Sequence, residues 1–326
     1  MNSLINDRSS FGRVGYNLVL AMTKLGHKVK TVAWPESNFD IVETLPKPDF
    51  ASPDLWVRLS HPDGPVSHPD CEHAGLLTVF ESTGLYKHTK IGNLKPLDFI
   101  ATPSEWCSNI LRNIKKDIPI FTWNHGYNPI LPFKTNINDQ VTTLLTVGCM
   151  DDRKHIYNFL KLFEDNFRNS NEIKLIVKSQ KGFNPRYCLD CKNVKFVDKE
   201  LNKLELEKLY LSASAYVMPS RGEAFGLTAL EAAMMGIPIM VTNFSGPVDY
   251  LDDCASIKLD YDLVDTPNSG PWAGKWAKPT DDAILTGIEE LVTNNKLGIK
   301  AVDVAQNVRD KWSWEITTER FLNSIQ

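Results

Sequence analysis

Two glutamates, Glu223 and Glu231, stand eight residues apart in the stretch S-R-G-E-A-F-G-L-T-A-L-E, Ser220–Glu231. Carboxylates accept hydrogen bonds, and sugars and ribose present hydroxyl donors. Between the two acids, Phe225, Gly226 and Leu227 mark a turn that runs straight into a helix-forming segment, Ala229–Met235. A helix start leaves N–H groups unpaired and carries partial positive charge, so it favours a phosphate. Gly226 removes the side chain that would hold a phosphate off the backbone. A carboxylate does not itself bind phosphate, so two acids beside an anion site point to a hydroxyl-rich ligand such as a nucleotide-sugar. The spacing alone leaves a plainer reading open, a surface helix with two ordinary glutamates.

The elements around this stretch must position it. Ala215–Met218 reads as a buried strand ended by Pro219, and Gly236 followed by Pro238 stops the helix. Before it run a strand at Thr142–Val147, a helix at Ile156–Phe167, strands at Lys174–Val177 and Val194–Val197, and a helix at Lys203–Ser212. Strands at Ile237–Thr242 and Ala255–Leu259 close that series, and residues 280–326 read as helical. An earlier series has a short strand near Ser3–Asn6, a loop at Ser9–Gly15, and a helix striped by Val14, Leu18, Met22 and Leu25 that ends at Gly26. It continues with strands at Val29–Trp34, Leu55–Leu59, Leu76–Phe80 and Phe99–Thr102, a helix at Glu105–Asn113 and a strand at Ile118–Trp123. Asp40–Asp54 is a proline-bearing loop, and the polar stretch Pro129–Asp139 reads as a linker.

Short apolar runs alternating with helices indicate an α/β chain of two doubly wound parallel sheets. The expected division is a first domain over residues 1–135, a second over 136–310, and a terminal helix over 311–326 returning toward the first. Ligands in such sheets bind beyond the carboxyl ends of the strands, in the cleft two such domains leave. The candidate residues all fall on such loops: Gly12 and Gly15, His125-Gly126, Arg153-Lys154, and the turn holding Glu223 and Glu231.

Composition narrows the class. The chain has 326 residues, 42% apolar and 23% charged, with a net charge of −4. That is ordinary for a globular protein. No apolar run approaches the ~18 residues of a membrane span, and M-N-S-L-I-N-D-R has no signal-peptide core, so a cytoplasmic location is expected. Peripheral membrane contact stays open. Basic and acidic side chains are nearly balanced in both halves, which argues against a nucleic-acid partner. Arg112, Lys115 and Lys116 read as a solvated helix end, with an anionic acceptor or headgroup as the lesser alternative. Of six cysteines, Cys188 and Cys191 alone have ligand-like spacing, and no second pair supports a zinc site.

These residues resemble the retaining glycosyltransferases of family 4, whose GT-B fold consists of two facing Rossmann-like domains. F-G-R-V-G-Y-N-L-V-L-A-M-T-K-L-G-H, ending at His27, resembles the family's glycine loop and first helix. Phe80–Leu85, Pro103–Trp106, the N-H-G-Y-N-P at 124–129, Val147–Lys154 and the closing W-S-W-E-I-T-T-E-R-F resemble further family stretches, and the paired glutamates are its signature. The resemblance implies that Glu223 contacts the donor sugar and Glu231 the ribose. It implies that the backbone at Phe225, Gly226 and Leu227 holds sugar and diphosphate, with Gly12 on the donor side. Arg153 and Lys154 would neutralise the leaving diphosphate. Cys149 stands where the family commonly has arginine, and Arg153 is the candidate substitute.

The implied reaction moves a sugar from a UDP- or GDP-sugar to an acceptor hydroxyl with retention at the anomeric carbon, the departing phosphate taking the acceptor's proton. The two acids are then binders and not a glycosidase pair. No cofactor and no metal is called for. The acceptor is a glycan, lipid-linked sugar, protein or small molecule. His125 is placed beside the donor sugar or in a capped loop, and His61 in the site or in a turn. Lys178 reaches the phosphates or base or lies exposed, and Arg13 touches phosphate or solvent. Glu81 faces the acceptor or makes an internal ion pair, and Trp123 belongs to the core. The paired aspartates at 151–152, 252–253 and 281–282 read as turns or helix starts. Competing readings are an epimerase or phosphorylase on the same fold, or an inactive nucleotide-sugar-binding protein.

Overall fold

A computed structural model of the chain describes residues 2–3, 10–33, 52–60, 68–87, 97–135, 142–179, 191–293 and 296–326. The chain divides into two compact units. The first holds Met1–Gly126, Pro267–Gly274 and Lys311–Gln326; the second holds Tyr127–Thr266 and Lys275–Asp310.

In the first unit β1 (Asn2–Ser3), β2 (Val32–Ala33), β3 (Leu55–Leu59), β4 (His73–Leu77), β5 (Phe99–Thr102) and β6 (Ile120–Thr122) form one six-stranded sheet in the order β2-β1-β3-β4-β5-β6. Every pairing is parallel. Helix α1 (Ser10–Lys24) starts earlier than its glycines suggest, so Gly12 and Gly15 lie inside it and not in a preceding loop. Burial of Val14, Leu18 and Val19 outweighs a glycine cost of about 1 kcal/mol per site. Strand β4 lies three residues before the expected Leu76–Phe80, because His73 and Ala74 pair with Leu55 and Trp56. Helix α2 (Glu105–Ile114) begins at Ser104, whose hydroxyl accepts from the Cys107 amide.

In the second unit β7 (Thr142–Val147), α3 (Ile156–Phe167), β8 (Ile173–Lys178), β9 (Val194–Val197), α4 (Lys203–Ser212), β10 (Ala215–Met218), α5 (Leu227–Met234), β11 (Ile239–Thr242), α6 (Val248–Leu251) and β12 (Ser256–Leu259) follow in turn. Their sheet is again parallel, in the order β12-β11-β10-β7-β8-β9. Leu144, Phe159, Phe163, Leu175, Val217 and Met240 lie at its centre. The central strands β10 and β11 are buried along their whole length, which is why they read as unbroken apolar runs. Tyr127–Lys134 is no loose linker. The fully buried Glu207 carboxylate accepts from the Tyr127 hydroxyl at 2.8 Å and from the Ile130 and Leu131 amides at 2.9 and 2.7 Å.

An antiparallel hairpin that the sequence reading left unassigned joins β13 (Tyr261–Asp265) to β14 (Lys275–Pro279). Its strands belong to the second unit and its tip, Pro267–Gly274, to the first. Helices α7 (Asp281–Thr293), α8 (Lys296–Trp312) and α9 (Trp314–Ser324) end the chain. Within the first unit α9 packs on α1, and Phe321 stacks on Trp123 at 4.0 Å and 7°. Trp123 is therefore core.

Candidate active site

In the second sheet β7 pairs with β8 on one side and β10 on the other, so the strand order reverses between β7 and β10. A ligand crevice forms at such a reversal, beyond the carboxyl ends of the strands. The loop after β7 carries Gly148–Lys154, and the loop after β10 carries Pro219–Gly226. The two loops are joined by the Arg221 amide, which donates to the Arg153 carbonyl at 2.7 Å.

The sequence-predicted pair Arg153 and Lys154 meets Glu223 here. Glu223 Oε1 takes the Lys154 ammonium at 2.6 Å, the Arg153 guanidinium at 3.2 Å and the Ser220 hydroxyl at 2.5 Å. Arg153 also donates to the Gly222 carbonyl at 2.7 Å. Burial works to raise the Glu223 pKa, but the Lys154 and Arg153 charges prevail and hold it at about 2. The carboxylate is thus ionised throughout the neutral range. Its second oxygen has no hydrogen-bond partner among the described residues. Backbone bonds fix it from behind: the Glu223 amide donates to Ser245 Oγ at 2.9 Å, and the Gly246 amide to the Glu223 carbonyl at 3.0 Å.

Gly226 caps α5 with φ 84°, a left-handed conformation that supplies no capping side chain. A Cβ there would meet Pro247 and the Tyr250 hydroxyl, both at 2.8 Å. Gly226 adds no side chain of its own at the helix start; the Ala229 amide donates to the Gly226 carbonyl at 3.1 Å, which leaves the Leu227 and Thr228 N–H groups for an anion. Phe225 is buried against Tyr250, so it offers a ligand only backbone, and Leu227 opens the helix half-buried. Glu231 is buried on α5 with Oε2 accepting from the Tyr210 hydroxyl at 2.7 Å.

The remaining expected residues are placed as follows. Lys178 ends β8 opposite Val147, its ammonium donating to the Ser179 carbonyl at 2.5 Å and its carbonyl accepting from Gly148. Gly12 and the exposed Arg13 lie at the start of α1 in the first unit. His125 also lies in the first unit, buried against Trp314, and burial drops its pKa to about 3. It is a neutral imidazole. Glu81 makes no ion pair among the described residues; it accepts from the Tyr86 hydroxyl and the Trp272 indole. Cys149 is exposed. Asp151 accepts from the Lys154 amide and Asp152 pairs with Arg221 at 2.7 Å, so these two acids shape the loop. No metal-holding group of three or more His, Cys, Asp or Glu side chains occurs among the described residues. His61 and Cys188 lie outside the described residues.

Sequence reasoning missed Ser220, whose hydroxyl meets the nearby Glu223, and Arg221, Tyr210 and Ser245, whose partners come from distant positions. It also missed His155, a buried residue at φ 55° just before α3. The signal for Ser220 lay three residues before Glu223; nothing local marks the others.

The residues 128–310, more than half of the chain, match the family model "Glycosyl transferases group 1". The chain belongs to this glycosyltransferase family. Among its relatives, the D-inositol 3-phosphate glycosyltransferase of Paenarthrobacter aurescens is 31% identical over 121 residues, 37% of this chain and 27% of the relative. The serotype-specific mannosyltransferase WbdA of Escherichia coli is 28% identical over 106 residues, 30% of this chain and 13% of the relative. The alignments thus span about a quarter or less of the relatives' length. Among solved structures, sucrose-phosphate synthase from Thermosynechococcus elongatus superposes with a TM-score of 0.57 at 16% identity, over 77% of this chain and 67% of that one. The pneumococcal O-GlcNAc transferase GtfA, in complex with UDP and GlcNAc, gives 0.53 at 14% identity, over 77% and 52%. Those likenesses establish the α/β GT-B fold for this glycosyltransferase. No helix among its described residues is long and apolar enough to cross a membrane.

Proposed function

We propose that this glycosyltransferase is a retaining enzyme of the family-4 type, moving a sugar from a nucleoside-diphosphate sugar to an acceptor hydroxyl. The observation that carries the reading is Glu223: one carboxylate oxygen is saturated by Lys154, Arg153 and Ser220, while the other is open beside a helix start capped by glycine. The open oxygen suits a donor-sugar hydroxyl. The two cations and the α5 N–H groups suit the diphosphate, whose charge grows as the glycosidic bond breaks. They supply the positive charge for which some transferases use a divalent ion, so we assign no metal and no cofactor. Glu231, held by Tyr210, is the candidate ribose ligand. The leaving phosphate accepts the acceptor's proton, and no protein base is needed on that face.

The test is Glu223→Gln in the full chain, with a panel of UDP- and GDP-hexoses as donors. Transfer should fall at least a hundredfold while the thermal midpoint stays close to that of the wild type. The wild-type product should show donor-like anomeric configuration by NMR, and EDTA should not lower the rate. Near-normal turnover in the variant would refute the assignment. Epimerisation of donor without any acceptor would replace transfer by an epimerase reading.

A further inference from the structure

The hairpin tip Pro267–Gly274 is built into the first unit by a dense set of bonds. Lys87 donates through its ammonium to the carbonyls of Pro267, Asn268 and Gly270 at 3.3, 3.0 and 3.1 Å, and through its amide to Pro271 at 2.7 Å. The Gly84 amide donates to the Ala273 carbonyl at 3.1 Å. A Cβ on Gly270 would fall 2.4 Å from the six-membered ring of Trp272, so the backbone there lies directly against the indole. These contacts hold the tip in addition to the one bond it makes to Glu81.

Glu81 points into it. Its Oε2 accepts from the Tyr86 hydroxyl at 2.6 Å and from Trp272 Nε1 at 3.2 Å. Its Oε1 has no partner among the described residues, and no cation pairs with the carboxylate there. Glu81, Tyr86 and Trp272 are all half-buried. A carboxylate fixed on one oxygen and open on the other, beside an indole and a phenol, combines a strong acceptor for hydroxyls with an apolar surface for C–H groups. Without an ion pair among the described residues, the carboxylate repels an anion placed against it, and the Lys87 ammonium is turned to the carbonyls of Pro267, Asn268 and Gly270. The cluster suits an uncharged carbohydrate and disfavours a phosphorylated one.

We infer that Glu81 and Trp272, oriented by Tyr86, form a saccharide subsite that binds the acceptor as a neutral, hydroxyl-rich sugar. The role as acceptor site rests on the transferase reading above, while the binding itself does not. Saturation-transfer NMR on the full chain tests it, with methyl α-glucoside, methyl α-mannoside, methyl α-galactoside and a phosphorylated hexose as probes. At least one neutral glycoside should bind the wild type, and the phosphorylated hexose should bind more weakly. Trp272→Ala and Glu81→Gln should each weaken that glycoside by about tenfold or more, the scale of one charge-assisted hydrogen bond. Trp272→Phe, which keeps an aromatic surface and loses the Nε1 donor, should fall between. Thermal midpoints of the variants check folding. Unchanged glycoside binding in both variants, or no neutral glycoside bound by the wild type, overturns the subsite. Thermal shifts with UDP and with GDP are read in parallel. If neither gives one while the glycoside responses hold, the donor reading fails and the subsite stands.

Discussion

Two carboxylates on loops after parallel strands, Glu223 in the second unit and Glu81 in the first, are held in opposite ways. Glu223 meets an ammonium at 2.6 Å and a guanidinium at 3.2 Å, and its pKa is pulled to about 2. Glu81 meets a phenol at 2.6 Å and an indole at 3.2 Å. In each case one oxygen is occupied and the other is open. The surroundings differ in charge, and that difference sorts ligands. The cationic setting favours a sugar that brings a diphosphate, and the aromatic setting favours one that brings none. On the two readings proposed above, this asymmetry would separate a donor that carries a diphosphate from an acceptor sugar that carries none.

The largest effect should come from taking away the charge on the donor side. Lys154→Met should lower the transfer rate by about 100- to 1,000-fold, as for loss of one preorganised electrostatic contact. The thermal midpoint should move little. A rate within tenfold of wild type would erase the contrast between the two carboxylates. Next in size is a carboxylate with no ligand to serve. Glu207 is fully buried and spends its oxygens on Tyr127, Ile130 and Leu131. Glu207→Ala should cost about 3 kcal/mol in chemical denaturation, since it orphans buried backbone donors. Glu81→Ala should cost about 1 kcal/mol, the range for a half-buried hydrogen-bonded side chain. Equal costs would make Glu81 a structural residue like Glu207.

The last effect, absent at neutral pH and growing in acid, concerns the buried imidazoles, one in each unit. Burial drops both His125 and His155 to about 3, and at His155 the Arg221 and Lys278 charges add to it. The unfolded chain therefore takes up these protons first. Their contribution to stability is whole above pH 6.5 and is lost as pH falls toward 3, at about 1.4 kcal/mol per unit for each group. His125→Asn and His155→Asn should each flatten the stability curve across that window. Added salt should alter the slope assigned to His155 more than that assigned to His125, because the Arg221 and Lys278 charges help to lower the pKa of His155 while burial lowers that of His125. Identical salt responses would remove that distinction.

Much of the second unit was legible because its central strands are buried along their whole length and their neighbours keep short apolar runs. Thr142–Val147 and Ala215–Met218 read as strands, and the Glu223 turn sits between a strand and a helix as its residue types suggested. The hairpin was not legible. Asp262, Leu263 and Asp265 are exposed, so β13 carries no apolar run and only a half-buried edge. Ser245 and Tyr210 were equally hidden, since each gains its meaning from a partner some twenty positions away, Glu223 and Glu231 respectively. The start of α1 was misjudged because glycine lowers helix propensity locally, and only tertiary burial of Val14 and Leu18 reverses the balance.

The ribbon formed by β13 and β14 has its paired strands in one unit and its tip in the other. Chimeras cut along sequence, with residues 128–310 exchanged between relatives as a cassette, would carry Trp272 away from Glu81 and Lys87. Such hybrids would inherit a mismatched half-pocket even with every strand intact. If the inferred subsite sets acceptor preference, swapping that preference requires that Glu81–Lys87 and Pro267–Gly274 travel together, as a single graft taken from two separate places in the gene.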